Sequence, residues 1–165
     1  MTAPGPSIAR AAAAAFTARQ ARAVAAVKAR KVTRPDAESR LLPWLALACL
    51  AGADLPELEE ELSALRETGT DGEPIFSDAE ARAVLAARLC PRARWAGLLG
   101  RARDEALRQA ERFTPAGSAR RSPQFEAERE AALDAARQLM LLADHFAADP
   151  NGRHPVPPYF EKEAA

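Results

Sequence analysis

The residues best suited to chemistry in this chain are the basic side chains of its first 35 residues. That segment contains no acidic residue, and its seven cations are Arg10, Arg19, Arg22, Lys28, Arg30, Lys31 and Arg34. Guanidinium and ammonium groups bind carboxylates and phosphates, so this block predicts an anionic partner. Because the segment offers no acid of its own, we expect these cations to be open to such a partner. Within the block, partner binding is assigned to Arg19, Arg22, Lys28, Arg30 and Lys31.

A second set of arginines carries an alternative function. Its members are Arg94, Arg101, Arg108, Arg120 and Arg121. The first three are seven residues apart and so nearly aligned on one helix face, an arrangement that suits a phosphate backbone. Asp104 lies four residues before Arg108, and Glu105 lies four after Arg101, so the helix can also neutralise itself. In the alternative interpretation, these five arginines are the residues that bind nucleic acid.

The end of the chain has a recognition signal of its own. Tyr159 and Phe160 follow the run Pro-Val-Pro-Pro, which favours an extended polyproline conformation. A preformed extended segment loses little entropy when it docks into a groove. Two interpretations stay open: the aromatic side chains pack back on their own bundle, or they insert into a partner or a neighbouring subunit.

Catalytic and metal-binding patterns are missing from the sequence. The two histidines, His145 and His154, have neither the H-E-x-x-H spacing nor a Cys/His spacing typical of zinc sites. No glycine-rich phosphate loop, nucleophile elbow or Glu-x-x-His pair is found. We predict no catalytic residue, no metal and no cofactor, and we expect that the protein is not an enzyme. His145 is predicted to be a surface or capping residue.

Charge is sorted along the chain, although the formal net charge is zero and the pI is about 6.8. Residues 36–80 hold twelve acids against two bases, and residues 81–121 hold ten bases against three acids. Blocks of opposite sign suit contacts between proteins, including copies of the same protein. A dedicated nucleic-acid module usually has a pI above about 9. Protein partners are therefore ranked first.

The apolar spacing predicts helices and no strands. The predicted helices cover about residues 8–32, 36–51, 55–67, 78–89, 91–113 and 123–149, with the second either kinked at Pro43 or split there. Expected N-caps are Ser7, Asp54, Ser77 and Ser122, and Gly52 is the expected residue after the second helix. The predicted fold is all-α: one bundle-like domain of five to seven helices, with a long basic N-terminal helix and an extended Pro-rich C-terminal tail. The predicted divisions are a basic arm (1–34), a helical core (35–148) and the tail (149–165).

Cysteine usage and hydropathy bear on location. Cys49 and Cys90 lie in apolar contexts and are predicted to be buried, reduced thiols. The longest apolar run, residues 41–53, is too short to span a bilayer, so no membrane contact is expected. These features predict a cytoplasmic protein. The Arg- and Ala-rich, acid-free start also fits an organellar transit peptide, which stays open.

Together these patterns predict a non-enzymatic helical adaptor or assembly subunit. It would engage partner proteins, or copies of itself, through the basic arm and the aromatic tail. The alternative is a nucleic-acid-associated helical protein that binds the phosphate backbone within a larger nucleoprotein complex. An unrecognised helical enzyme or ligand carrier is the third class.

Overall fold

A computed structural model describes residues 5–67, 72–73, 75–113 and 122–146. Within these ranges the chain forms six helices and no strand, which confirms the predicted all-α fold. The helices are α1 (Pro6–Lys28), α2 (Arg34–Leu50), α3 (Pro56–Leu65), α4 (Asp78–Leu89), α5 (Arg92–Glu111) and α6 (Pro123–His145). The chain divides into two compact units, Met1–Trp95 and Ala96–Ala165. The predicted Pro-rich tail lies outside the described residues.

In the first unit, α2 is the central helix. It packs against both α1 and α4, and α3 packs against α4. Four consecutive residues of α2, from Ala46 to Cys49, are buried. Successive residues of a helix point about 100° apart, so burial of such a run requires cover on several sides. The most hydrophobic stretch of the sequence is therefore the centre of this unit, as its composition predicts.

The helix α2 is continuous through Pro43. Thr33 begins it, with the Thr33 hydroxyl accepting a hydrogen bond of 3.4 Å from the amide of Asp36. Pro43 is buried inside the helix and has no amide hydrogen to give to the carbonyl group of Ser39. Of the two forms that the sequence left open, the single helix of 17 residues is the one observed.

The C-terminal ends of α1 and α2 are each followed by a residue in the left-handed conformation. After α2, Gly52 has φ 83°, its amide donates to the carbonyl oxygen of Cys49, and the amide of Ala53 donates to that of Ala48. This confirms the predicted glycine stop. After α1, Arg30 adopts the same conformation with φ 58°, although it is not a glycine. The helix therefore ends at Lys28, four residues before the predicted end.

Asp54 does not cap α3, so that prediction is wrong. The residue before α3 is Leu55, whose side chain gives no capping bond. The Asp54 carboxylate instead accepts a hydrogen bond of 3.3 Å from Nη2 of Arg82, in α4. A guanidinium is a stronger, charged donor than a helix amide, which explains why the carboxylate is drawn away from the local cap.

The capping box predicted for α4 is confirmed. The Ser77 hydroxyl accepts from the amide of Glu80 at 3.2 Å, and the Glu80 carboxylate accepts from the amide of Ser77 at 3.4 Å. Each bond satisfies an amide that the first turn of the helix leaves without a partner. The start of α4 is therefore fixed by residues only three positions apart.

The second unit contains most of α5 and all of α6. Ser122 caps α6 as predicted, accepting from the amide of Phe125 at 3.1 Å. The two helices bury one cluster between them, whose members are Leu107, Ala110, Leu133 and Ala136. The buried face of α5 includes Leu107 and also Arg103. Arg103 donates to Asp104 at 2.9 Å, which allows a guanidinium to lie on the buried face.

Candidate anion-binding cleft

The helix α1 changes character halfway along its length. Its first half buries five apolar residues: Ile8, Ala11, Ala12, Ala15 and Phe16. From Thr17 onward no residue of α1 is buried. The first half is thus a core helix, and only the second half has the exposure expected of an arm. Most of the basic residues lie on this second half.

Arg19 is the most constrained of these cations. The central carbon of its guanidinium lies 3.6 Å from the ring centroid of Trp44, in α2, and Nη1 donates a hydrogen bond of 3.0 Å to the carbonyl oxygen of Ala15. Burial, with a smaller contribution from the charge of Arg22, lowers the pKa of Arg19 to about 10. The group remains a cation at neutral pH. Stacking and hydrogen bonding hold it in one orientation.

A cleft of about 330 Å³ lies between α1 and α2 beside this stack. From α1 it is lined by Arg19, Arg22, Ala23 and Ala26. From α2 it is lined by Ala37, Arg40, Leu41 and Trp44. Both sets follow the spacing i, i+3, i+4, i+7, which places four residues on one face of a helix. The cleft is therefore formed where two helix faces meet, and three guanidinium groups line it.

The cations of this hairpin have almost no carboxylate partners. Arg34, at the start of α2, pairs with Glu38 at 2.9 Å. Among the described residues, no carboxylate forms an ion pair with any of the other basic residues of the first block or with Arg40. The unpaired first-block residues are Arg10, Arg19, Arg22, Lys28, Arg30 and Lys31. Arg22 has only a long backbone bond, from Nε to the carbonyl oxygen of Ala18 at 3.4 Å.

The acidic helix α3 does not neutralise α1. Its carboxylates Glu57, Glu59, Glu60 and Glu61 are all exposed. The side-chain bond between the two helices joins Gln20 to Glu57 at 2.9 Å, so its donor is an amide and not a cation. Within the described residues, the acidic block of residues 36–80 therefore leaves the cations of α1 without carboxylate partners.

One member of the second set of arginines, Arg108, pairs with an acidic residue of its own helix. Nη2 of Arg108 donates to Glu105 at 2.7 Å, and this bond, with that from Gln109, lowers the pKa of the Glu105 carboxyl. Arg101 is exposed and its guanidinium lies over Gly97, where an added Cβ atom would be 3.3 Å from Nη1. Arg94 is exposed in the first unit. Arg120 and Arg121 lie outside the described residues.

The other candidate residues are placed as follows. Tyr159, Phe160 and His154 lie outside the described residues. His145 is the last residue of α6, half-buried, with its ring edge-on to Phe146 at 4.7 Å between centroids. Cys49 and Cys90 are both free and buried, as predicted. The part of the chain that is described contains no group of three or more His, Cys, Asp or Glu placed to hold a metal ion.

Two cleft residues were missed by sequence reasoning. Trp44 was assigned only to the core, and Arg40 was not singled out. The sequence shows that Arg40 and Trp44 share a helix face with Ala37 and Leu41. It does not show that this face lies against α1, which is what forms the cleft. Arg40 is exposed and has no hydrogen-bond or ion-pair partner among the described residues. It is the cation that α2 adds to the two from α1.

No family model matches this chain, and neither the curated proteins nor the solved structures give a match. Across the described ranges, no helix combines the length and the apolar character needed to cross a bilayer.

Proposed function

We propose that this protein is a non-enzymatic binding protein, an adaptor or assembly subunit that holds an acidic partner protein on its first helical hairpin. The binding surface, here called the basic hairpin surface, consists of Arg19, Arg22, Lys28, Arg30, Lys31 and Arg40. The observation that carries the proposal is that none of these six cations pairs with a carboxylate among the described residues. Cations left together on one surface repel each other, and an acidic partner relieves that repulsion.

Several observations favour a protein over a nucleic acid as the partner. The chain as a whole is neutral, with a pI of about 6.8. The acidic side chains of α3 are exposed in the same unit as the basic hairpin surface, and they would repel a polyphosphate that extends beyond the hairpin. Arg108, in the second arginine set, is already bonded to Glu105. A compact acidic patch on a protein matches a basic surface of limited extent.

The partner can also be a second copy of this chain. The exposed carboxylates at Glu59, Glu60 and Glu61 offer the opposite charge, and α3 belongs to the same protein. The proposed contribution of Tyr159 and Phe160 is to anchor the assembly as buried aromatic residues, which are enriched at the energetic centres of interfaces. We also propose that the protein acts in the cytoplasm, because both cysteines are free thiols of the kind that a reducing compartment maintains.

The test compares two variants that lose the same charge from different places. The first variant replaces Arg22, Lys28 and Lys31 by Ala, and its control replaces Arg88, Arg94 and Arg112, which are exposed basic residues outside the hairpin. Tagged wild-type and variant proteins are used to retain partners from native extract with and without nuclease treatment, and retained proteins are quantified by mass spectrometry. The proposal predicts that acidic proteins are retained by the wild type and the control and lost from the hairpin variant. Equal retention by all three, or retention abolished by nuclease alone, overturns it.

A further inference from the structure

The structure assigns a specific ligand class to the cleft between α1 and α2. We propose that the cleft binds a short acidic peptide segment in which carboxylate side chains flank one apolar side chain. The carboxylates bond to Arg19, Arg22 and Arg40, and the apolar side chain packs on the alanines and the leucine of the lining. This inference deepens the proposed function and depends on it, because it names what the partner presents to the hairpin.

The charge of the cleft favours an anionic ligand. Three guanidinium groups line a volume of about 330 Å³, and no carboxylate lines it. Arg19 is partly removed from water and lies close enough to Arg22 for that charge to act on it. A carboxylate placed between them offsets both the lost hydration and the repulsion, and its two oxygens match the paired N–H groups of a guanidinium.

One of the groups that would bind the carboxylates is already oriented. Arg19 is fixed by the face of Trp44 at 3.6 Å and by the carbonyl oxygen of Ala15 at 3.0 Å. An arginine side chain that is ordered before binding loses less entropy when the ligand arrives. The cleft therefore has one preorganised donor, Arg19, and the exposed side chains of Arg22 and Arg40 complete the set from α1 and α2.

The rest of the lining is apolar, which distinguishes this cleft from a simple charged patch. Of its eight lining residues, four have purely aliphatic side chains (Ala23, Ala26, Ala37 and Leu41), and a fifth, Trp44, is aromatic. A free phosphate or a run of acids alone would leave this surface in water. An apolar side chain between the acids covers it, and such burial contributes about 25 cal/mol for each Å² removed from water. The volume is near the lower limit of ligand pockets, enough for a short segment.

A nucleobase is not the ligand that the geometry favours. Single-stranded nucleic acids bind by stacking bases on open aromatic faces. Trp44 has only 8% of its surface exposed, and the guanidinium of Arg19 covers its ring. No face of the indole remains for a base to stack on. Binding of nucleic acid to the hairpin is therefore an outcome that the experiment must exclude.

The experiment uses the full-length protein and three fluorescent probes of matched length, followed by anisotropy at fixed salt. The first peptide places one leucine between two pairs of glutamates, the second replaces that leucine by serine, and the third probe is a single-stranded oligonucleotide. The variants are Arg40→Ala, its charge-matched control Arg88→Ala, and Ala23→Leu, which fills the cleft and keeps every charge. Arg40 and Arg88 are both exposed helical residues without a carboxylate partner among the described residues.

We expect the wild type to bind the leucine peptide about tenfold more tightly than the serine peptide, the factor expected for partial burial of one leucine. Arg40→Ala weakens both peptides severalfold, and Arg88→Ala leaves both unchanged. Ala23→Leu reduces the ratio between the two peptides to about one, while the salt-dependent attraction remains. This last variant separates the cleft from the surrounding charge.

Three results overturn the inference in different ways. If both peptides bind equally in the wild type and in Ala23→Leu, the cleft does not select an apolar side chain, and the proposed acidic partner stands without it. If neither peptide binds and the oligonucleotide does, the cleft inference and the proposed function both fail. Loss of binding in Arg88→Ala equal to that in Arg40→Ala also contradicts a site in the cleft.

Discussion

Arg82 and Cys49 are bonded to each other in both directions, although 33 residues separate them in the sequence. Nη1 of Arg82 donates to the carbonyl oxygen of Cys49 at 3.1 Å, and the thiol of Cys49 donates to the carbonyl oxygen of Arg82 at 3.4 Å. Nη1 also donates to the carbonyl oxygen of Ala53 at 3.0 Å. The last carbonyl groups of a helix have no partner within it, and a cation there is favoured by the helix dipole. Arg82 therefore closes the end of α2 from α4.

Replacing Arg82 should destabilise the first unit strongly. Arg82→Met keeps much of the side-chain volume but leaves the buried carbonyl group of Ala53 without a donor and that of Cys49 with only the amide of Gly52. It also removes the charged group at the end of α2, so we expect the free energy of unfolding to fall by about 3 kcal/mol. Urea denaturation followed by circular dichroism measures the loss. Arg88→Met, on the exposed side of the same helix, should change the free energy of unfolding by less than about 0.5 kcal/mol. Equal effects of the two substitutions would show that the buried bonds contribute nothing.

The Cys49 thiol should make stability depend on pH in the alkaline range. Burial raises the pKa of Cys49 from 9.0 in the unfolded chain to about 11 in the folded protein. The folded state thus holds the thiol proton more tightly, so this contribution is fully present below pH 9 and is lost as the pH rises from 9 to 11. In a Cys90→Ala background, the free energy of unfolding should fall more steeply over that range than it does when Cys49 is also replaced by Ala. Parallel curves for the two proteins would contradict the assigned burial.

Arg30 should be a strained residue in the turn between α1 and α2. Its φ of 58° lies in the left-handed region, which costs a residue with a side chain about 1 kcal/mol or more. Arg30→Gly should therefore stabilise the protein by about 0.5–1 kcal/mol, in spite of the greater freedom of glycine in the unfolded chain. Arg30→Ala removes the same charge and keeps the strain, so it should give no such gain. Thermal unfolding of both variants compares them, and an equal gain in both would assign the effect to charge.

The capping box of α4 should make a measurable contribution to the free energy of unfolding. Ser77→Ala removes the acceptor for the amide of Glu80 and should lower the free energy of unfolding by about 1 kcal/mol. Ser63→Ala, at an exposed helix position in α3, is the comparison, and it should be neutral or slightly stabilising because Ala favours helix. Urea denaturation distinguishes the two. A cost at Ser63 equal to that at Ser77 would show that the cap is not the source.

The sequence predicted several parts of the fold that depend on neighbours three or four residues apart, although the predicted cap Ser7 was wrong, because it lies inside α1, whose N-cap is Gly5. Ser77 with Glu80, Ser122 with the amide of Phe125, and Gly52 after α2 all act within one turn, so their residue types are sufficient to recognise them. Arg30 was missed because the left-handed turn that it forms carries no glycine. Asp54 was assigned wrongly because its partner, Arg82, is 28 residues away and belongs to another helix.

In the candidate site, too, the local features were predicted from the sequence and the contacts between helices were not. The unpaired cations of the first block were visible in the sequence as a segment without acids. The cleft was not, because it requires the register that brings Arg40 and Trp44 of α2 against Arg19 of α1. Likewise, Arg103 was not expected on the buried face of α5, since apolar spacing does not show which charged residue has a partner beside it.

The central claim is that the cations of the first hairpin are free to receive an acidic partner, and a nuclear magnetic resonance titration tests it most directly. The ¹⁵N-labelled protein is titrated with the leucine-containing acidic peptide while the arginine Nε–H and indole N–H signals are followed. The account predicts saturable shifts at Arg19, Arg22, Arg40 and Trp44, with Arg88, Arg94 and Arg101 unchanged. Shifts confined to the second arginine set, or no shift at the hairpin at saturating peptide, would contradict it.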